Sequence, residues 1–160
     1  MIAFASSSRS GHSALVPRNA KKTADYRVRR DDLPKSVHES EGFSVVDALR
    51  EHVNWDHPRP WLRLLETMND SQRAVVAVAQ VHEDAAFNGI KFAVQHHGRE
   101  VISMAAEGAT RLRQPAMTEM LTAALQRRPD WKALEYRWDQ EAGFDLEWFI
   151  EENADDFFVS

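Results

Sequence analysis

The chain has 160 residues, of which 43% are hydrophobic and 28% are charged, the usage of an ordinary globular protein. It contains no cysteine, which excludes disulfides, thiolate nucleophiles and cysteine-bound zinc. The net charge of −5 combines a basic segment, residues 1–30 at +6, with an acidic remainder, residues 31–160 at −11.

The first 30 residues are rich in serine, alanine and arginine, contain one acid, and show no sustained apolar period. They predict a disordered basic tail, although a targeting presequence or a misassigned start would have the same composition. Residues 31–160 are predicted to form a single helical domain. We expect a cytoplasmic protein without membrane contact, because the chain has neither a secretory apolar region nor an apolar run of the ~18 residues that a membrane span needs.

Helical signals begin near Ser44. Ser44 and Asp47 stand at the spacing of a capping box ahead of an apolar face, and Pro58 and Pro60 end this element. A second helix is predicted from apolar residues spaced at i, i+3, i+4 and i+7, which are Trp61, Leu64, Leu65 and Met68.

The third predicted helix is the most apolar one. Asp70 or Ser71 can cap it, and residues 74–81 are apolar on all sides, which predicts a central buried helix. Gly98 is a natural break before the next helix, over residues 99–112.

Three more helices are predicted in the last third of the chain. One begins at Pro115 and ends before Pro129, a short one covers residues 131–138, and the last runs from about residue 145 to residue 156. No alternation typical of strands is sustained. The sequence therefore predicts an all-α fold, an irregular bundle of six or seven short helices.

Histidines are the best candidates for metal binding or acid–base chemistry. His82-Glu83 begins like an HExxH motif, but residue 86 is alanine, so the second ligand is missing. His96 and His97 are adjacent and would point about 100° apart on a helix, which does not suit one ion. We expect surface or packing roles, no metal and no cofactor. The seven histidines are His12, His38, His52, His57, His82, His96 and His97.

Catalytic motifs are absent from the sequence. It has no GxSxG elbow and no glycine-rich phosphate loop, and its serines cluster in the first 13 residues, where nothing would hold a triad in register. We therefore expect a protein that is not an enzyme.

The strongest compositional signal is the acidity of the C-terminal segment. Between Asp130 and Asp156 there are ten acids, opposed only by Lys132 and Arg137. Such a run is often an ordinary solvated surface. The functional alternative is a surface that attracts a basic partner and repels nucleic acid.

A helical wheel over the last predicted helix separates apolar from acidic residues. The inward positions are Leu146, Phe149, Ile150, Asn153 and Phe157. Trp148 falls on the acidic side, and a large aromatic among exposed acids is typical of a binding hot spot, unless it packs beneath a neighbouring helix or loop. We call the predicted partner-binding surface the acidic face, and it comprises Asp145, Glu147, Trp148, Glu151, Glu152 and Asp155.

Three segments resemble a bacterial family of helical proteins whose named member is a DNA mimic. LRQPAMTEMLTAAL at 112–125 resembles its IGA-P-x-x-A-x-IL-x-x-AL segment, and WFIEENADDFF at 148–158 is similar to its closing yI-x-x-N-x-x-x-F. EDAAFNGIKFAVQHHG at 83–98 has the length of its E-x-NGGF-x-QYF-x-N-x-x-G region, of which Asn88-Gly89 remains, while Gln95 replaces the usual Asn. The resemblance covers about residues 60–158. It implies an all-α fold, no catalysis, a homodimer, and an acidic surface that engages a DNA-binding protein.

These observations predict a non-catalytic, acidic protein-binding module that occupies the basic surface of a DNA-binding protein as a DNA mimic, without binding nucleic acid itself. One alternative is an immunity or antitoxin protein that plugs a basic toxin. Another is a hydrolase with an unrecognised site around His82, Glu83, His96 and His97.

Overall fold

The computed structural model describes residues 23–34 and 40–160. Within these ranges the chain forms helices and no strand, and a single isolated bridge joins Val28 to Phe158. The predicted all-α bundle is confirmed. The helices are α1 (Glu41–Arg50), α2 (Pro60–Thr67), α3 (Asp70–Asn88), α4 (Ile90–Arg111), α5 (Pro115–Ala124), α6 (Trp131–Glu141), α7 (Glu147–Glu152) and α8 (Ala154–Phe157), with a 3-10 turn at Arg30–Asp32 before them.

The centre of the bundle is the pair of long helices α3 and α4. Residues 74–79 and Val81 are buried, which confirms the central helix that the apolar run predicts. Gly108 of α4 lies directly against α3, since a Cβ built on it would stand 2.7 Å from the Ala74 carbonyl oxygen. The absence of a side chain at Gly108 is what lets the two helices approach this closely.

Two helices begin at different residues from those predicted. α1 begins at Glu41 and is capped by Ser40, whose hydroxyl oxygen accepts from the Phe43 amide at 3.3 Å, whereas the predicted cap, Ser44, is buried inside the helix. α3 is capped by Asn69, whose side chain accepts from the Gln72 amide at 2.8 Å. Asn is as good an N-cap as Asp or Ser, so composition alone does not select among the three candidates.

Helix α4 contains a kink at Gly98, where φ is 81°, and this confirms the predicted break. The helical segment before the kink, residues 90–97, is not among the predicted elements. Its first amides, Ile90 and Lys91, donate to the Glu135 carboxylate of α6 at 3.1 and 3.0 Å. This segment therefore takes its N-terminal cap from a residue 45 positions away, which no local pattern shows.

The last predicted helix is two short helices, α7 and α8, separated at Asn153. The inward positions of the wheel are buried at Leu146, Phe149, Ile150 and Phe157, while Asn153 is half-buried. The Asp156 carbonyl accepts from the side chains of Asn69 at 3.0 Å and Gln72 at 2.8 Å, which attaches the chain end to the start of α3.

The predicted tail ends at residue 30, but residues 23–30 are described and contact the bundle. The Ala24 amide donates to the Thr67 carbonyl at 2.8 Å, and the Val28 amide donates to the Phe157 carbonyl at 2.9 Å. Residues 1–22 of the predicted tail lie outside the described residues. No helix in the described ranges combines the length and the apolar character that crossing a bilayer requires.

Candidate functional site

The acidic face is built on α7, α8 and the residues just before them. All five of its carboxylates are exposed, because the apolar residues of this segment turn toward the core. Asp145 accepts from the Glu147 amide at 2.9 Å, and so provides an acceptor at the start of α7. The structure thus brings the predicted partner-binding residues onto one stretch of surface.

Two of these carboxylates form ion pairs with arginines from distant parts of the chain. Arg30 is 2.7 Å from Glu151, and Arg113 is 3.6 Å from Glu152. Asp145, Glu147 and Asp155 form no ion pair among the described residues, although Arg27 attracts Asp155 from a longer distance. The face therefore keeps a surplus of negative charge after internal pairing.

Glu147 also has a structural role that the wheel does not reveal. Its Oε1 atom accepts from the Ser40 hydroxyl and from the Gly42 amide, the latter at 3.0 Å, so it is attached to the first turn of α1. A carboxylate at a helix N-terminus is stabilised by the unpaired amides there.

Trp148 is half-buried, whereas the wheel places it fully among the exposed acids. Its ring contacts Phe149 edge-on at a centroid distance of 5.6 Å, and the Arg113 guanidinium lies 4.5 Å from its centroid. One part of the Trp148 side chain therefore packs on the core, and the other part is covered by the Arg113 guanidinium at the surface. An arginine stacked on an indole is an attractive contact that a partner's cation can replace.

Apart from the edge-on contact between His96 and His97, the described histidines contact other types of residue. His52 contacts Tyr26 in a tilted arrangement at 4.7 Å, His57 accepts from the Arg59 amide at 3.0 Å, and His96 stacks on Phe92 at 5.5 Å. His12 and His38 lie outside the described residues.

His97 is buried and forms a hydrogen bond with Asp84 that brings α3 and α4 together across Gly89. Burial lowers the pKa of His97, and the adjacent Asp84 carboxylate only partly opposes this effect. The pairing was not predicted. The only sequence signal for it is the Asn88-Gly89 step, which marks the reversal between the two helices.

Two of the four residues of the hydrolase alternative contact each other, since the His96 and His97 rings meet edge-on at a centroid distance of 5.0 Å, whereas the other two have different neighbours. His82 contacts Phe144 edge-on at 4.8 Å, and burial lowers its pKa. Glu83 pairs with Arg50 at 2.8 Å, while His97 bonds to Asp84. Among residues 23–34 and 40–160, no group of three or more His, Asp or Glu side chains is placed to hold a metal ion.

A pair of tryptophans forms a second prominent surface feature. Trp55, on the loop between α1 and α2, is 68% exposed, and its ring meets Trp61 edge-on at a centroid distance of 5.6 Å. Arg59 next to them forms a two-point ion pair with Glu100 at 2.8 and 3.2 Å, which lowers the pKa of Glu100 to about 2.

Cavities lie on both sides of the Trp55–Trp61 pair. One of about 250 Å³ is lined by Trp55, Pro58, Arg59, Pro60, Trp61, Leu62, His96, His97 and Val101. The other, of about 420 Å³, also contacts the end of α1 and the middle of α3. The apolar spacing of the second predicted helix indicates a packing role for Trp61 and does not predict a site here.

No family model, no curated protein and no solved structure matches this chain.

Proposed function

We propose that the protein is a non-catalytic binding module whose acidic face occupies a basic surface of a partner protein. The observation that carries this proposal is the charge surplus on the face, where Asp145, Glu147 and Asp155 form no ion pair in the described part of the chain. The described residues as a whole include 15 Lys and Arg against 24 Asp and Glu, a net charge of −9, so the long-range field attracts a basic partner.

The internal ion pairs of the face are compatible with binding. Glu151 and Glu152 are each more than half exposed, and so is Arg113. Exposed pairs of this kind contribute about 0–1 kcal/mol each, so a partner's cations can replace Arg30 and Arg113 at little cost. Trp148 then becomes available where Arg113 covered it.

In the more specific form of the proposal, the partner is a DNA-binding protein and the carboxylates take the place of DNA phosphates. Glu147 and Glu151 are four residues apart on α7, and such residues are separated by about 6 Å along a helix, similar to the spacing of phosphates along one strand. The proposal includes a homodimer, because the family resemblance that implies a DNA mimic also implies that the chain pairs with a second copy.

The experiment begins with capture of partners from the native cell and identification of those released by high salt. Association is then measured for the wild-type chain and for the double variant Glu151→Gln/Asp155→Asn. We expect the variant to associate severalfold more slowly at low salt and with a flatter salt dependence, because the steering charge is reduced. A captured toxin would instead identify an immunity protein.

The matched control is Glu107→Gln/Asp139→Asn, which removes the same charge from exposed positions elsewhere. It should change the association rate much less. Equal rates and salt slopes for both double variants would show that the acidic face is not the contact surface.

Trp148→Ala tests the short-range part of the interface. We expect faster dissociation with a nearly unchanged association rate, because aromatic anchors act after encounter. Tyr136→Ala is the control, since Tyr136 is another large aromatic side chain and is 72% exposed on α6. If both variants dissociate like the wild-type chain, Trp148 has only a packing role.

A further inference from the structure

The cavity of about 420 Å³ beside the Trp55–Trp61 pair has both aromatic walls and acidic edges. Trp55 and Trp61 stand perpendicular to each other, with an interplanar angle of 89°, and so form two sides of a corner. Asp47, Glu51 and Glu83 contribute the carboxylates around it.

The charge around the cavity is not balanced. Arg50 is its one basic residue and lies 2.8 Å from Glu83 and 3.7 Å from Asp47. Glu51, exposed just beyond the end of α1, has no basic partner among the described residues. Three carboxylates therefore surround one guanidinium, and the cavity keeps a surplus of negative charge.

An anionic ligand is a poor occupant of this cavity. The Nε and Nη2 atoms of Arg50 have no hydrogen-bond partner in the described part of the chain, but both are buried and out of reach of solvent. An acid entering the cavity would therefore meet the three carboxylates and not the free edge of the guanidinium. Arg50 acts as an internal counter-charge for Glu83 and Asp47.

We propose that this cavity binds an arginine side chain of the basic partner. The planar guanidinium stacks on one indole ring while its N–H groups donate to Glu51 and to the outward oxygen of Glu83, which uses both the cation–π attraction and the carboxylates. The proposal rests on the proposed function, because it supplies a second contact for the same basic partner.

The position of the cavity suits that role. Glu147 of the acidic face is attached to the first turn of α1, and the cavity lies at the last turn of the same ten-residue helix. At about 1.5 Å per residue, the two sites are separated by roughly 15 Å along α1. One partner domain can span that distance and contact both.

The test uses two probes with capped termini, N-acetyl-arginine methylamide and its citrulline counterpart, which has nearly the same shape without the guanidinium charge. Binding is followed by the indole N–H resonances of the full-length, ¹⁵N-labelled protein, with Trp55→Phe used to assign the Trp55 signal. We expect the arginine probe to shift the Trp55 and Trp61 signals in a saturable manner, and the citrulline probe to bind at least about threefold more weakly.

Glu51→Gln should weaken binding of the arginine probe about threefold, because it removes the unpaired carboxylate without disturbing the Arg50 pairs. Glu107→Gln is the matched control, an exposed acid on α4 whose loss should leave binding unchanged. Equal binding of the two probes, or no effect of Glu51→Gln, would overturn the proposal.

Failure of the cavity can be distinguished from failure of the proposed function. If the arginine probe leaves Trp55 and Trp61 unshifted while the captured partner still responds to Glu151→Gln/Asp155→Asn, only the cavity proposal is wrong. If the probe shifts Trp55 and Trp61 but the captured partner ignores the acidic-face variant, the cavity binds arginine and the assignment of the face is wrong.

Discussion

Replacement of Glu147 with alanine should destabilise the fold although this residue lies on the exposed acidic face. Its carboxylate accepts from the Ser40 hydroxyl and from the Gly42 amide, so it joins the start of α7 to the start of α1. Hydrogen bonds to a charged group contribute about 1.5–3 kcal/mol when buried. Because Glu147 is exposed, we expect a smaller total loss of about 1–2 kcal/mol in the free energy of unfolding.

The measurement is urea denaturation followed by circular dichroism, with thermal melting as a second readout. For a chain of this length, a loss of this size lowers the melting temperature by roughly 3–6 °C. Glu152→Ala is the control, since its 3.6 Å pair with Arg113 joins two side chains that are more than half exposed. Its effect should stay within about 0.5 kcal/mol.

If Glu147→Ala and Glu152→Ala have the same small effect, the contact between Glu147 and α1 contributes nothing to stability. Ser40→Ala removes the hydroxyl that donates to Glu147, so its loss of stability and that of Glu147→Ala should not add in full in the double variant, because the two groups share one hydrogen bond. Full additivity of the two losses would contradict this reasoning.

Three further outcomes follow from the fold. Gly108→Ala should lower the free energy of unfolding by about 1–3 kcal/mol, because the new Cβ would stand 2.7 Å from the Ala74 carbonyl oxygen. Gly143→Ala is the control and should not destabilise the protein, because nothing lies within 4 Å of a Cβ there. Equal melting temperatures of the two variants would contradict this expectation. Burial lowers the pKa of His97 below 6.5, so the free energy of unfolding should fall as the pH drops below that value. Urea denaturation at several pH values should show a shallower fall for His97→Gln than for the wild-type chain. The same fall in both proteins would mean that His97 is not its cause. A chain that starts at residue 31 should melt below one that starts at residue 23, because it lacks the Val28 amide that donates to the end of α8; coincident melting curves would show that this contact is marginal.

Local sequence patterns predicted the parts of the fold that local contacts form. The period of Trp61, Leu64 and Leu65 predicted α2, and the apolar run over residues 74–81 predicted the buried centre of α3, because each pattern describes which side of a helix loses water. Gly98 predicted the kink in α4, since only glycine accepts its φ of 81° without strain.

The elements that the sequence did not predict depend on residues far apart in the chain. The first half of α4 begins where Glu135 of α6 caps it, and the His97–Asp84 pair exists because the chain reverses at Gly89. The candidate site has the same limit. The wheel selected the exposed acids correctly, but the arginines that pair with Glu151 and Glu152 come from residues 121 and 39 positions away.

The acidic face consequently contains carboxylates of two kinds, and one substitution type cannot test both. Glu151, Glu152 and Asp155 are replaceable at little cost, whereas Glu147 also holds α1 in place. Glutamine at position 147 keeps an oxygen that can accept from Ser40 and Gly42 while it removes the charge, so Glu147→Gln should preserve more stability than Glu147→Ala and yet slow association with a basic partner. If Glu147 acted only through structure, partner binding would be lost in proportion to stability. Glu147→Ala would then weaken binding more than Glu147→Gln does.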